Sequence, residues 1–171
     1  MPNLALKLAL SSVALVAVNN AATAAPTAHK HARQAEKALA KKKLPGAVAA
    51  AEAAVVADPR NAEYRLLLGR VYLEAGRFRS AATSFADALS LGGTSGSAAL
   101  SLALARIGLG DQAAARAVLD EHGGTIPAGD RGLALALAGD PSTGVTLLEA
   151  EVRGGGSDAK TRQNLALAYA L

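Results

Sequence analysis

The chain has 171 residues, 51% of them apolar and 19% charged, with a net charge of +4, no cysteine and no tryptophan. The absence of cysteine excludes disulfides, thiol nucleophiles and thiolate zinc sites. Aromatic residues are only 3% of the chain, which argues against a β-sandwich; alanine, the best helix former, fills about a quarter of it.

The segment 1–24 reads as a secretory signal peptide. Lys7 and the amino terminus form a small positive region, and residues 8–18 are an apolar run of 11, within the range for such signals. Asn19-Asn20 ends the run, and Ala22-Thr23-Ala24 supplies the small-x-small pattern that a signal peptidase reads. The cut is expected between Ala24 and Ala25, since Pro26 would be a poor first residue. A bilayer core needs about 20 apolar residues, so this run is too short for an anchor. Residues 25–171 are then the exported chain and form one domain.

Downstream, helices are expected in pairs. A first helix over about 28–43 ends in a turn at Lys41-Lys42-Lys43, and a second, carrying Ala47 and Ala54, stops before Pro59. The next pair spans 63–76 and 79–91, ending at Gly92-Gly93. Counted from Ala62, this unit has Leu68, Gly69 and Tyr72 at positions 7, 8 and 11, then Ala81, Phe85 and Ala88 at 20, 24 and 27. Stepping back by 34 puts Ala47 and Ala54 at positions 20 and 27 of the preceding unit. The same step forward puts Leu102, Ala103, Gly110, Ala115 and Pro127 at positions 7, 8, 15, 20 and 32 of the following one. A fourth unit is shortened: Gly139-Asp140-Pro141 follows Gly110-Asp111-Gln112 after a step of 29 instead of 34. Its first helix, 131–138, is expected to have about two turns and its second to cover 142–153. Residues 158–171, with Leu165, Ala166 and Tyr169 at positions 7, 8 and 11, make half of a fifth unit and suggest a truncated array. Leu165, Ala166 and Tyr169 are expected to face the preceding unit, leaving Leu167 and Leu171 exposed.

These residues resemble the tetratricopeptide repeat (TPR), whose pattern asks for Leu, Gly, Tyr, Ala, Phe and Ala at the six places matched from Leu68 to Ala88. The resemblance covers residues 28–171 and implies an all-α fold: a TPR-like α-solenoid of antiparallel helix hairpins, about four repeats and a final half repeat. Small residues at positions 8 and 20 let the helices of a hairpin approach closely, and stacked hairpins share a core that none could bury alone. The order of signal peptide and repeats is similar to exported TPR proteins of alphaproteobacteria. Some of those carry a peptidoglycan-binding SPOR domain, of which this sequence has no counterpart; others assist pilus assembly or secretion.

The residues offer no catalytic constellation, no metal set and no cofactor motif. Gly92-Gly93-Thr94-Ser95-Gly96-Ser97 lacks the Gly-Lys-Ser/Thr ending of a phosphate loop and reads as an inter-repeat turn. His29 and His31 lack partners for a metal, and His122 is placed at a helix end. Asp111, Asp130 and Asp140 fall where aspartate caps helix N–H groups.

Charge is uneven. Residues 25–79 hold eleven Lys/Arg against five Asp/Glu, and residues 80–171 hold six against nine. The basic half suits either a solvated rim or docking to an acidic partner or anionic lipid headgroups, which would be a peripheral membrane contact. Nucleic acid is disfavoured because no stacking aromatics interleave the cations.

The resemblance implies a concave groove lined by positions 2, 5, 9, 12 and 13 of first helices. Here those are Glu63, Leu66, Arg70, Leu73 and Glu74, followed by Ser97, Leu100, Leu104 and Ile107. Chaperone-docking members clamp a terminal carboxylate with Lys and Asn at positions 5 and 9; Leu66 and Arg70 stand there instead. The expected ligand is an apolar or amphipathic segment of a protein partner, and some of these leucines could instead be covered by the neighbouring helix. The function implied is a non-enzymatic periplasmic adaptor in envelope, pilus or secretion-system assembly. The alternative is a structural spacer or oligomerisation segment of a larger, SPOR-type, peptidoglycan-associated protein.

Overall fold

A computed structural model describes residues 26–93, 95–155 and 158–171. The signal peptide and its cleavage site lie outside the described residues. All regular structure among the described residues is helical: α1 (26–40), α2 (Leu44–Ala57), α3 (Ala62–Glu74), α4 (Phe78–Ser90), α5 (Ser95–Gly108), α6 (Gln112–Glu121), α7 (Ala128–Leu137), α8 (Pro141–Arg153) and α9 (Ala159–Tyr169). The pairing α1/α2, α3/α4, α5/α6, α7/α8 with α9 over is the four and a half units expected from the repeat step. Two compact units result, one extending to Arg60 and the other covering Asn61–Leu171.

In the first unit α1 buries Ala28, Ala32 and Ala35, a stripe with the spacing of one helix face. Helix α2 buries Ala47, Val48, Ala50, Ala51, Ala54 and Val55. Helix α1 ends at 40, not at Lys43. The chain leaves it through Lys42 at φ 54, and the Lys43 N–H returns to the Ala38 carbonyl at 2.9 Å. The later hairpins make the same left-handed turn at the same place in the repeat with Gly76, Gly110 and Gly139. Glycine adopts that conformation without a Cβ penalty, whereas lysine does not.

Within the second unit the hairpins close at small residues. Gly69 faces the fully buried Phe85 ring, and a Cβ on Gly69 would lie 2.6 Å from its Cδ1. Gly132 and Gly144 bring α7 and α8 together backbone to backbone: a Cβ on Gly144 would lie 2.5 Å from the Gly132 carbonyl oxygen. Between hairpins the core is continuous. Leu66, Ala81, Phe85 and Ala88 of α3 and α4 pack with Ala98, Leu102 and Ala105 of α5. Ala99, Ala103, Ala115 and Leu119 then meet Ile126, Ala134, Leu135 and Ala138.

The five residues missing from the fourth unit are not all taken from its first helix. That helix spans Ala128–Leu137, 10 residues, closer to three turns than to the expected two. The preceding α6 is also only 10 residues, against 13 for α4. The link from α6 to α7 bridges the shortfall. Ile126 plugs into the core, and the Thr125 carbonyl lies so close to Gly96 at the start of α5 that no Cβ fits there. Two arginines tie the short helices end to end. Arg131 of α7 donates from Nε to the Leu119 carbonyl of α6 at 3.1 Å, and Arg116 of α6 donates to the Ala138 carbonyl at the end of α7. Cationic donors at helix C-termini satisfy carbonyls that have no intrahelical partner.

Aspartate caps hold three helix starts. Asp111 accepts from the Ala114 N–H, Asp140 from Thr143 and Asp158 from Thr161, and Asn61 caps α3 through the Glu63 and Tyr64 N–H groups. Asp130 is different. Pro127 occupies the N-cap of α7, and the Asp130 carboxylate pairs with Lys160 of α9 at 2.6 Å.

Candidate functional site

The candidate groove residues separate by repeat position. On α3, Glu63, Arg70 and Glu74 are exposed, whereas Leu66 is 8% exposed and belongs to the core shared with α4 and α5. Leu73 is half-buried against the same core. On α5, Ser97 is exposed and Leu104 half-buried, while Leu100 and Ile107 pack against the cluster shared with α6 and α7. Positions 5 and 12 thus turn toward the neighbouring hairpin, position 2 stays open on both helices, and positions 9 and 13 are open on α3. The reason is geometric: residues three or seven apart lie along one edge of the helix face, and that edge meets the next first helix.

The open positions continue beyond α5 with residues that the constant repeat step did not select. The shortened unit displaces its register by five, so Leu104 at position 9 corresponds to Leu133 on α7 and Leu167 on α9, with Leu137 and Leu171 four residues further on. Leu133 is half-buried; Leu137, Leu167 and Leu171 are 39%, 49% and 64% exposed. Helix α7 packs beside both α5 and α9, so equivalent positions on the three helices are neighbours. The floor therefore changes character along its length, from Glu63, Arg70 and Glu74 on α3 to a row of leucines on α5, α7 and α9. The pairing of Gly132 with Gly144, twelve apart like Gly69 with Ala81, was the sequence signal that could have reset the register.

Helix α9 is held differently from the expectation. It buries Thr161, Asn164 and Ala168, and Leu165 is half-buried against Leu148 and Ala136. Ala166 is exposed and makes no part of that contact, and the ring of Tyr169 is exposed too, reaching the preceding unit through its hydroxyl. Positions 8 and 11 meet the second helix of their own hairpin, as Gly69 meets Phe85, and α9 has no such helix among the described residues. Asn164 donates to the Gly129 carbonyl at 3.0 Å in a buried bond that locks α9 onto α7. The Tyr169 hydroxyl donates to Glu149 of α8, which raises its pKa above the usual tyrosine value chiefly through that hydrogen bond. Lys160 is likewise raised, first by its hydrogen bond to Asp130 and then by the charge of that carboxylate.

A cleft of about 210 Å³ lies between the starts of α7 and α9, lined by Pro127, Gly129, Asp130, Glu151, Asp158 and Lys160. The Asp130–Lys160 pair and the Asp158 cap use three of its four charged groups internally.

Comparison with known proteins bears on both units, and for the family model on the stretch from α1 to α6. The model of the tetratricopeptide repeat matches residues 32–95 and 66–124. Among solved structures the chain is similar to the crystal structure of MamA protein, with 24% sequence identity and a TM-score of 0.69. That likeness covers 84% of this chain and 81% of the other, and it concerns the fold. No curated protein matches.

Proposed function

Because the chain belongs to the tetratricopeptide repeat family, whose model covers more than half of it, we propose that it is a non-enzymatic scaffold binding an amphipathic segment of a partner protein along the first helices of its second unit. The observation that carries this reading is the row Leu104, Leu133, Leu137, Leu167 and Leu171 at equivalent positions on adjacent helices, three of them substantially exposed. An amphipathic helix buries its apolar face in such a row through anchors three and four residues apart. Glu63, Arg70 and Glu74 at the α3 end then meet its polar residues. The signal-like segment 1–24 supports export and a periplasmic site of action, and the similarity in order to exported TPR proteins supports a role in envelope, pilus or secretion-system assembly.

A photo-crosslinking residue placed at Arg70 or Leu171 tests this in periplasmic extract. One discrete partner is expected, and the exposed-site double change Leu137→Glu/Leu167→Glu should abolish it. Crosslinks between copies of the chain alone would favour the spacer or oligomerisation role. Mass spectrometry of the protein from cells tests export, and an N-terminus other than Ala25 would contradict the cleavage site.

A further inference from the structure

One sign of charge dominates a face of α1. Lys30, Arg33 and Lys37 on the helix and Lys41 just past its end are all exposed. Their spacing of three, four and four residues confines them to about 80° of the helix circumference. Lys42 and Lys43 extend the strip through the turn, and Glu36 lies about a quarter-turn off it. Lys30, Arg33, Lys37 and Lys41 make no ion pair among the described residues. In the second unit several cations are paired: Arg65–Asp87, Arg131–Asp120 and Lys160–Asp130 lie at 2.8, 3.2 and 2.6 Å.

The repeat register shows what this face is elsewhere. Stepping forward by 34 carries the strip onto Tyr64, Leu67, Val71 and Ala75 of the α3 hairpin, then onto Ala98, Ser101, Ala105 and Leu109 of the α5 hairpin. Ala98 and Ala105 are buried with Phe85 and Ala88, so on α5 this face packs against the preceding hairpin. An exposed face needs polar groups, but it does not need a single sign.

Keeping one sign has three local costs. Like charges three and four residues apart repel along the helix. Lys30 and Arg33 stand in the N-terminal half of α1, where the helix dipole disfavours cations. Lys42 takes the left-handed backbone conformation that the other three hairpins assign to glycine. Alternating charges and a glycine would solubilise the face with none of these.

We propose that this strip docks the protein on an anionic phospholipid bilayer through the headgroup phosphates. Five of the six cations are lysines, compact point charges on flexible stems that need no fixed partner geometry, and a fluid layer of headgroup phosphates offers none. A cluster of this size on an amphipathic helix is in the range that holds a protein to an anionic leaflet.

The test uses the chain from Ala25 onward, which retains every described residue, and vesicles of phosphatidylcholine with or without about 30% phosphatidylglycerol. Cosedimentation is expected with the anionic vesicles only and is reversed by about 0.5 M NaCl, which screens the attraction. Lys30→Gln/Arg33→Gln/Lys37→Gln/Lys41→Gln should lower partitioning by roughly fivefold per charge, so several hundredfold in all. Arg60→Gln/Arg77→Gln/Arg79→Gln/Arg153→Gln removes equal charge elsewhere and should cost less than about tenfold. Lys30→Arg/Lys37→Arg/Lys41→Arg retains binding, and separates loss of charge from loss of fold. Absence of binding to anionic vesicles, or equal loss in the two glutamine variants, overturns the proposal. Binding of polyglutamate but not of vesicles also overturns it and assigns the strip to an acidic protein.

Discussion

Replacing Gly69 by alanine tests the closest helix approach in the α3/α4 hairpin. The added Cβ would sit 2.6 Å from both Cδ1 and Cε1 of Phe85. The ring cannot swing aside, because Phe85 is fully buried among Ala81, Ala88, Ala98, Leu102 and Ala105. Overpacking of this kind costs about 1–3 kcal/mol, and alanine returns about 1 kcal/mol of helix propensity. The net loss is about 1 kcal/mol, or roughly 3 °C in Tm for a chain of this size. Leucine adds three further carbons with nowhere to go and should lose the full overpacking cost. Melting followed by circular dichroism reads both, with Gly46→Ala as the internal control. Gly46 lies in α2 with nothing within 4 Å of its added Cβ, so the same substitution there should be neutral or slightly stabilising. The pair also predicts coupling: in a Phe85→Leu background, Gly69→Ala should cost less by about 0.5 kcal/mol or more. A Gly69→Ala protein that melts at or above the parent, or no coupling to Phe85, would refute the account of this hairpin.

Gly144→Ala should be worse than Gly69→Ala, because its Cβ meets the Gly132 carbonyl at 2.5 Å and backbone cannot rotate away; the comparison is one pair of melts. Lys42→Gly should stabilise by about 1 kcal/mol by removing a Cβ from the left-handed turn, read as a higher urea midpoint. The carboxyls of Asp140 and Asp158 are held below the usual carboxylate value mainly by the Thr143 and Thr161 backbone N–H groups. Their stabilisation is therefore complete above the unfolded value of 3.8 and is lost as pH falls below it through the lowered native values. Asp140→Ala/Asp158→Ala should lower Tm at neutral pH, and the gap to the parent should close near pH 2; a gap unchanged in acid would contradict the capping role. Amides of α9 should exchange faster than those of α3, since Leu167 and Tyr169 are 49% and 61% exposed while α3 buries Leu66, Leu67, Leu68 and Val71. Hydrogen exchange showing equal protection of the two helices would oppose this.

Local rules made the architecture legible before any coordinates. The recurring repeat step, the small pair twelve apart and the hairpin glycines at 76, 110 and 139 are requirements that each hairpin satisfies by itself, through close approach and left-handed turns. Two helix starts followed for the same reason, with Asp111 and Asp140 capping as their positions implied. What depended on neighbours was not legible. Whether Leu66 lines a groove or fills the core is decided by α4 and α5 packing over it. Whether Asp130 caps its own helix or pairs with Lys160 is decided by α9 lying beside α7. The five missing residues are shared between the end of α6 and the start of α7, because the tertiary fold can close that gap with Ile126, Arg116 and Arg131. That closure shifts the register of everything after it, and so places Leu133, Leu137, Leu167 and Leu171 in line with Leu104. A periodic sequence states which residues are equivalent within a repeat; only the packing of one repeat on the next states which equivalent residues remain open to a partner.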